Sequence, residues 1–245
     1  FKELTPSGDQ GDKMIQKLAD RLAQVDLLGR AAKLLANQVD FRLKGVEKAK
    51  VGARLATVYL VNKQPALAEE AIINSDEKEE IPPYLVVQRR QLLARSFIDQ
   101  GRENKALNLL EDDKTRYADL LRAEVYWKGR KWPGAARVFR RLIASFGGKP
   151  GEKINERQAL FVMNLAISLA LGGDERGSEK LRSDYGAAMS QTSLKDAFRL
   201  IASPDATGLL DSRTVANKVE TVSNFKNFLA SYEKRLKEGK LSQIN

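Results

Sequence analysis

Apolar residues recur along this chain at intervals of three and four, the spacing that places them on one face of an α-helix. A break near Asp26 separates the first two runs, which are Met14, Ile15, Leu18, Leu22 and Val25, then Leu28, Ala31, Leu34, Leu35 and Val39. Asp12 precedes the first run, and an aspartate is favoured at a helix N-cap. We therefore predict a loose lead-in at residues 1–11, followed by a pair of antiparallel helices.

Four further pairs follow, each divided by turn-forming residues. Pro65 suits the first turn of a helix because its missing N–H costs nothing there. The residue before Pro82–Pro83 avoids helical dihedral angles, which ends the second pair. Gly147, Gly148, Pro150 and Gly151 form the strongest loop signal and mark a candidate hinge.

Small residues occur 12 positions apart in these pairs. Pairs two to five contain Ala56/Ala68, Ala94/Ala106, Ala123/Ala135 and Ala166/Ser178, and the first pair fills the same interval with Asp20/Ala32. Small side chains at matching heights let two antiparallel helices approach closely, near the lower end of the roughly 8–10 Å range for packed helices. We therefore predict five helix hairpins over residues 12–190.

The chain resembles the tetratricopeptide repeat family in these hairpins. The motif residues are Ala123, Tyr126, Trp132, Ala135 and Phe139 in the best-matching unit, then Leu55, Ala56, Tyr59 and Ala68, and Leu93, Ala94, Phe97 and Ala106. The first-helix alanines from Ala56 to Ala166 are separated by 38, 29 and 43 residues, against about 34 in the family, so the repeats are degenerate. The resemblance implies a right-handed superhelix of antiparallel helix hairpins, a TPR-like α-solenoid.

The end of the chain departs from this pattern. Residues 191–245 are predicted as a C-terminal helical cap with a basic tail, and its long last helix begins at Ser212. Repeat arrays need terminal units that cover their apolar ends. In the fifth hairpin the predicted groove positions are all apolar, namely Leu160, Met163, Ile167, Ala170 and Leu171. We expect Phe225, Phe228 and Leu229 to cover them, with a partner helix or self-association as the alternative.

Composition limits the chemistry that the chain can perform. Cysteine and histidine are absent, which excludes disulfides, thiolate or Ser-His-Asp catalysis and nearly all zinc or haem ligation. Gly147 to Lys153 superficially resembles a phosphate-binding loop, but Glu152 replaces the second glycine and Ile154 follows the lysine. We interpret this stretch as a linker, and predict no enzymatic activity, no cofactor and no metal.

The net charge is +10. Such a charge favours nucleic acid or an anionic membrane as a partner. However, no basic run reaches five residues and no stacking aromatics alternate with the arginines. We therefore do not favour nucleic acid, and peripheral membrane contact stays open.

In the resembled family the first helices line a concave face that binds partner segments. Trp127 follows Tyr126, so their side chains point about 100° apart around the helix. If Tyr126 packs inside the hairpin, Trp127 faces the groove, and the alternative is that Trp127 packs on the next repeat. The same geometry gives the predicted partner-binding residues Arg95, Ile98, Asp99, Glu124, Trp127 and Lys128.

We therefore predict a non-enzymatic scaffold that binds a protein or peptide segment on its concave face. The alternative is a basic surface that binds nucleic acid or an anionic membrane. The sequence has the style of the C-terminal module of a larger bacterial protein, and absent cysteine leans towards the periplasm or cell envelope. It leaves the oligomeric state and the partner's identity open.

Overall fold

The computed structural model describes residues 8–76 and 80–202, and every regular element in these ranges is an α-helix. The helices are α1 (Asp9–Gln24), α2 (Leu28–Phe41), α3 (Gly45–Val61), α4 (Pro65–Asn74), α5 (Pro83–Asp99), α6 (Glu103–Leu110), α7 (Arg116–Lys128), α8 (Trp132–Ser145), α9 (Glu156–Gly172), α10 (Glu175–Met189) and α11 (Lys195–Ile201). The prediction of an all-α protein is confirmed for this part of the chain. The five predicted helix pairs correspond to α1/α2 through α9/α10.

The chain forms two compact units, residues 1–113 and residues 114–245. The predicted hinge at Gly147–Gly151 is therefore not the boundary. That loop is tied down inside the second unit, where the Gly151 N–H donates to the Asp184 carbonyl and the Tyr185 hydroxyl donates to the Gly148 carbonyl. Gly148 is also buried against Ile143, where a Cβ would be too close.

The first unit contains α1 to α6. Each of these helices packs on the next, and α3 also contacts α5. α1 starts at Asp9, three residues before the predicted cap, and Asp12 instead accepts hydrogen bonds from Gln38 and Arg42 of α2. The helix pairs are therefore joined by polar contacts at their ends as well as by a buried apolar seam.

The second unit is centred on α9, which contacts α8, α10 and α11. The apolar run predicted as a buried helix is α9, and Phe161 to Leu169 are buried without interruption. Asn155 caps it in a capping box, in which the Gln158 N–H donates to the Asn155 side chain and the Asn155 N–H donates to the Gln158 side chain. No helix in the described ranges is long and apolar enough to cross a bilayer.

The apolar positions predicted for the fifth hairpin groove lie on α9. Met163 and Ile167 are fully buried, and α11 packs against α9 with Phe198 and Ile201 in the same buried cluster. α11 therefore supplies part of the cover that we expected from the final helix. That helix, with Phe225, Phe228 and Leu229, lies outside the described residues.

The small residues predicted at helix contacts are buried in hairpins two to five. Ala56, Ala68, Ala94, Ala106, Ala123 and Ala135 have no exposed surface, and Ala166 and Ser178 are also buried. The first hairpin corrects the prediction, because its buried pair is Ala19 and Ala31, not Asp20 and Ala32. Asp20 is half-buried and pairs with Arg54 of α3. With this correction all five hairpins keep a small pair 12 residues apart.

One turn geometry joins the two helices of every hairpin. The residue seven places after the first small residue has a positive φ in each case, and these residues are Asp26, Lys63, Gly101, Arg130 and Gly173. The next N–H then bonds the carbonyl five residues back, as in Leu27 to Leu22 and Lys131 to Tyr126. This is the Schellman arrangement that ends a helix with a left-handed residue. The turn fixes the interval of 12, because it sets how the second helix starts relative to the first.

A buried arginine organises the middle of the first unit. The Arg89 guanidinium donates to the carbonyls of Ala49 (2.9 Å) and Ile72 (2.7 Å) and to the Ser75 hydroxyl (2.9 Å). Ile72 lies in the last turn of α4, where a cation is favoured by the helix dipole. Burial lowers the pKa of Arg89, and the nearby Asp76 carboxylate opposes that shift. Gly52 leaves the space for Ser75, since a Cβ there would overlap the Ser75 side chain.

The turn geometry predicts that introducing glycine at the left-handed position stabilises the protein and that removing glycine from it destabilises the protein. Lys63→Gly and Arg130→Gly should each raise the unfolding free energy by roughly 0.5–1 kcal/mol, because glycine adopts a positive φ without the cost of a Cβ. Gly101→Ala should lower it by about 1 kcal/mol, although its Cβ would meet no neighbour. Denaturant unfolding of the three variants measures these changes, and destabilisation by both glycine variants would contradict the account of the turn.

The Arg89 cluster predicts that Gly52→Ala lowers the unfolding free energy by about 1–3 kcal/mol, the range for overpacking a filled core. Gly29→Ala in α2 is the control, since a Cβ there meets nothing within 4 Å, and it should be neutral or stabilising. Chemical denaturation followed by circular dichroism compares the two. Equal stability of both variants would show that the contact between α3 and Ser75 is loose.

Candidate partner-binding site

The six predicted partner-binding residues divide between the two units. Arg95, Ile98 and Asp99 lie on α5, and Glu124, Trp127 and Lys128 lie on α7. Each set sits in the last turns of the first helix of its hairpin. The two sets are therefore described separately.

On α5, two of the three side chains are buried. Ile98 is 2% exposed and Arg95 is 6% exposed. The Arg95 guanidinium donates to both Asp99 carboxylate oxygens (3.1 and 2.6 Å), one helical turn away. The expectation that Arg95 and Ile98 present their side chains at an open face is wrong for this structure. The physical reason is that α5 packs against α3, α4 and α6, so little of its circumference stays open.

On α7, Trp127 packs inside its own hairpin. Its ring meets the edges of Trp132 (5.6 Å between centroids) and Phe139 (5.9 Å) on α8, with the ring planes almost perpendicular. Such edge-to-face pairs contribute about 0.5–1.5 kcal/mol beyond buried area. Neither alternative considered from the sequence included this contact within the hairpin.

Tyr126 explains how two neighbouring rings reach the same helix. The Tyr126 ring lies over Gly134 of α8, where a Cβ would be only 3.0 Å from the ring. Glycine at this position lets Tyr126 lie close to the α8 backbone, while Trp127 packs on α8 rings. Two adjacent side chains of α7, about 100° apart around its axis, therefore both contact α8. Of the remaining α7 residues, Lys128 is exposed and Glu124 is half-buried.

The sequence reasoning missed a buried ionic cluster in the same hairpin. Asp119 of α7 is 6% exposed and accepts a bidentate pair from Arg141 of α8 (3.0 and 2.6 Å) and a bond from Arg122 (2.8 Å). The hydrogen bond to Asp119 raises the pKa of Arg141. This ionic cluster joins α7 to α8 in addition to the aromatic cluster of Trp127, Trp132 and Phe139. Its only sequence signal is the spacing of Asp119 and Arg122 by one helical turn.

Charge is distributed unevenly between the units. Residues 1–113 contain 18 Lys and Arg and 18 Asp and Glu, whereas residues 114–245 contain 24 and 14. The whole net charge of +10 therefore belongs to the second unit. The α7–α8 hairpin, residues 114–146, has nine basic residues and two acidic ones.

Exposed cations concentrate on one helix of that hairpin. Arg137, Arg140 and Arg141 are exposed on α8, which contains no acidic residue, and we call them the arginine face. Arg140 makes a long ion pair with Asp174 (3.4 Å), and Arg141 pairs with Asp119. Within the described ranges no acidic side chain pairs with Arg137.

Exposed apolar side chains show the opposite distribution. In the part of the chain that the structure describes, every exposed large apolar residue lies in the first unit. The most exposed are Phe41 (80%), Val25 (65%), Val61 (62%), Tyr84 (62%) and Ile73 (57%). The two units thus offer surfaces of different chemistry.

No cluster of three or more potential metal ligands occurs among the described residues. The Gly147–Lys153 stretch forms the α8–α9 connection, and its Lys149 pairs with Glu152 at 3.6 Å. The interpretation of this stretch as a linker is therefore confirmed.

Comparison of the chain with models of protein families, with curated protein sequences and with solved structures finds no match in any of the three. The function must therefore be argued from the hairpins themselves.

The aromatic cluster predicts that Trp127→Ala acts mainly on stability. Removing a ring that packs on Trp132 and Phe139 should lower the unfolding free energy by about 2–4 kcal/mol, near the lower end for a large aromatic because Trp127 is half-buried. Lys128→Ala is the neighbouring control and should change it by less than about 0.5 kcal/mol. Thermal unfolding of both variants tests this, and an unchanged Trp127→Ala protein would show that the ring does not hold the hairpin.

Proposed function

We propose that this protein is a non-enzymatic scaffold that binds a partner protein or peptide segment. In this proposal the hairpins follow one another as a right-handed, TPR-like superhelix with a C-terminal helical cap. The first helices of the hairpins line the concave face that receives the partner. Asp99, Glu124 and Lys128 are the residues proposed to border that face, whereas Arg95 and Ile98 are buried and Trp127 packs within its own hairpin.

The observation that supports the proposal most directly is the repetition of one hairpin five times. Every hairpin has a buried small pair 12 residues apart and a left-handed residue at the same place in its turn. Arrays of such units build extended surfaces, and their usual role is to hold another chain. The aromatic and alanine positions of the fourth hairpin add the resemblance to the tetratricopeptide family.

Exposed apolar side chains in the first unit give separate support. Scattered surface apolar residues are normal, but Phe41, Val61 and Tyr84 are large and mostly exposed. Burying such side chains contributes about 25 cal/mol per Å² of apolar surface. A partner that covers them gains affinity from a part of the chain that has no net charge.

The buried charges are accounted for by packing. Arg89 satisfies two carbonyls and a hydroxyl, and Asp119 joins α7 to α8 through Arg141. Perturbed buried charges often mark active sites, but structural networks perturb them as well. Here the partners of each charge hold helices together, which favours a scaffold over an enzyme.

A charge-swapped variant tests the proposed first-helix face. Glu124→Lys with Lys128→Glu keeps the net charge and both side-chain lengths, but reverses the order of charge along α7. Lys180→Asp with Asp184→Lys on α10 is the control, because it reverses an exposed pair (3.7 Å) at the same spacing. Proteins retained by each variant are compared by quantitative mass spectrometry after affinity purification from cell extract.

We expect at least one protein to be retained by the wild type and the α10 control and depleted about tenfold by the α7 variant, as for loss of a complementary charge pair. This retention should survive about 200 mM salt. Identical protein sets for all three chains would contradict the first-helix face. Material that dissociates between about 50 and 200 mM salt and is removed by nuclease would instead support the nucleic-acid alternative.

A further inference from the structure

The arginine face of α8 is a second surface whose chemistry is different from that of the first-helix face. Every exposed residue of α8 other than Pro133 and Ala144 is an arginine. Arg137 and Arg141 are one helical turn apart, about 6 Å along the axis, and Arg140 lies beside them. Three guanidinium groups are thus presented within little more than one turn.

The charge on this face is poorly compensated by the rest of the unit. Residues 114–202 contain 17 basic and 9 acidic residues, so the excess is spread around the arginines as well as on them. Arg130 and Lys131 in the α7–α8 turn are also exposed. An excess of one sign attracts the opposite sign over a distance of about 8 Å at physiological salt, which accelerates encounter with an acidic chain.

The same arginines already bind carboxylates within the chain. Arg141 holds Asp119 through two parallel hydrogen bonds (3.0 and 2.6 Å), and Arg140 reaches Asp174 at 3.4 Å. The planar guanidinium matches a carboxylate in this bidentate way. The Arg140 pair is long and about half-exposed at both ends, so an incoming carboxylate can compete with Asp174.

Nucleic acid fits this face less well. Binding of single strands relies on aromatic side chains on which bases stack. In the α7–α8 hairpin the Trp127 and Trp132 rings meet each other edge to face, and Phe139, between Arg137 and Arg140, is fully buried. In the described ranges the second unit exposes no large apolar or aromatic side chain. A duplex would need a wider footprint than one turn, since tight binders contact about 6–10 phosphates.

From these observations we propose that the arginine face docks an acidic polypeptide segment, with carboxylates on Arg137 and Arg140. This surface is on a second helix of a hairpin and does not depend on the proposed first-helix face. Charge supplies the attraction, and the guanidinium groups can hold the carboxylates through paired hydrogen bonds.

The test is binding of a short, labelled glutamate-rich peptide, measured by fluorescence anisotropy at low and at physiological salt. Arg137→Glu with Arg140→Glu reverses the face. Arg176→Glu with Lys180→Glu on α10 is the matched control, because both residues are exposed, the charge change is identical and one of the two is in a long ion pair. Arg137→Gln with Arg140→Gln removes the charge without reversing it, and circular dichroism checks that each variant is folded.

We expect the wild type to bind the peptide and the α10 control to bind within about twofold of it. The Glu variant should bind at least about tenfold more weakly, with the Gln variant in between, as for loss of close interfacial charge pairs. The charge-swapped α7 variant described above, which has an unchanged net charge, should retain the peptide. Loss of partner binding on the first-helix face and loss of peptide binding are thus separate results.

Several results would overturn the proposal. One is that the wild type fails to bind the peptide. Another is that the α10 control loses as much affinity as the α8 variant, since net charge would then explain the binding. The third is that duplex DNA or phosphatidylserine vesicles bind more tightly than the peptide and with the same dependence on Arg137 and Arg140, which would assign the face to phosphate.

Discussion

The close approach of two helices at a pair of small side chains is the contact on which the rest of this structure depends. A buried small residue on each helix, an alanine at all but one of the ten positions, lets the backbones come together, and larger side chains then close around the contact. The left-handed residue in the turn makes this contact reproducible, because it returns the chain in one direction after a fixed number of residues. Lys63 and Arg130 have a positive φ at that position although a Cβ makes it unfavourable, so packing of the hairpin outweighs the local backbone preference.

The first unit adds polar interactions to this pattern, and the second adds aromatic and ionic ones. Arg89 bonds carbonyls of α3 and α4 from α5, so three helices share one guanidinium. Burying such a charge is costly unless its donors are bonded, and here they bond the Ala49 carbonyl of α3, the Ile72 carbonyl near the C-terminus of α4 and the Ser75 hydroxyl. In the second unit two residues of α7 contact α8, because Trp127 packs on α8 rings and Asp119 pairs with Arg141. The hairpins of the two units are thus held together by different side-chain contacts, and the two units differ in surface chemistry.

That difference in surface chemistry is what links the fold to function. The first unit has no net charge and has exposed apolar side chains, while the second has the full excess of +10 and exposes arginines. In the proposed scaffold, the first surface would hold one partner by apolar burial and the second would hold another by charge. Salt would weaken only the second contact strongly. The proposed functions differ in this physical dependence, and that is why they can be tested separately.

The sequence by itself determined the helices, their pairing and the interval of 12, because apolar periodicity and small residues are local signals that survive in any surroundings. It also placed the first-pair register one residue off, since Asp20 and Ala32 have the same spacing as Ala19 and Ala31 and only burial separates them. Which side chains face outward was decided by tertiary structure. Trp127 packs on the α8 rings Trp132 and Phe139, next to Tyr126, for which Gly134 makes room. Arg95 and Ile98 are buried because α5 meets three other helices. The burial of these side chains depends on residues that are distant in sequence. A helical pattern of apolar residues identifies one face of a helix, but it does not show how many other helices pack against that helix.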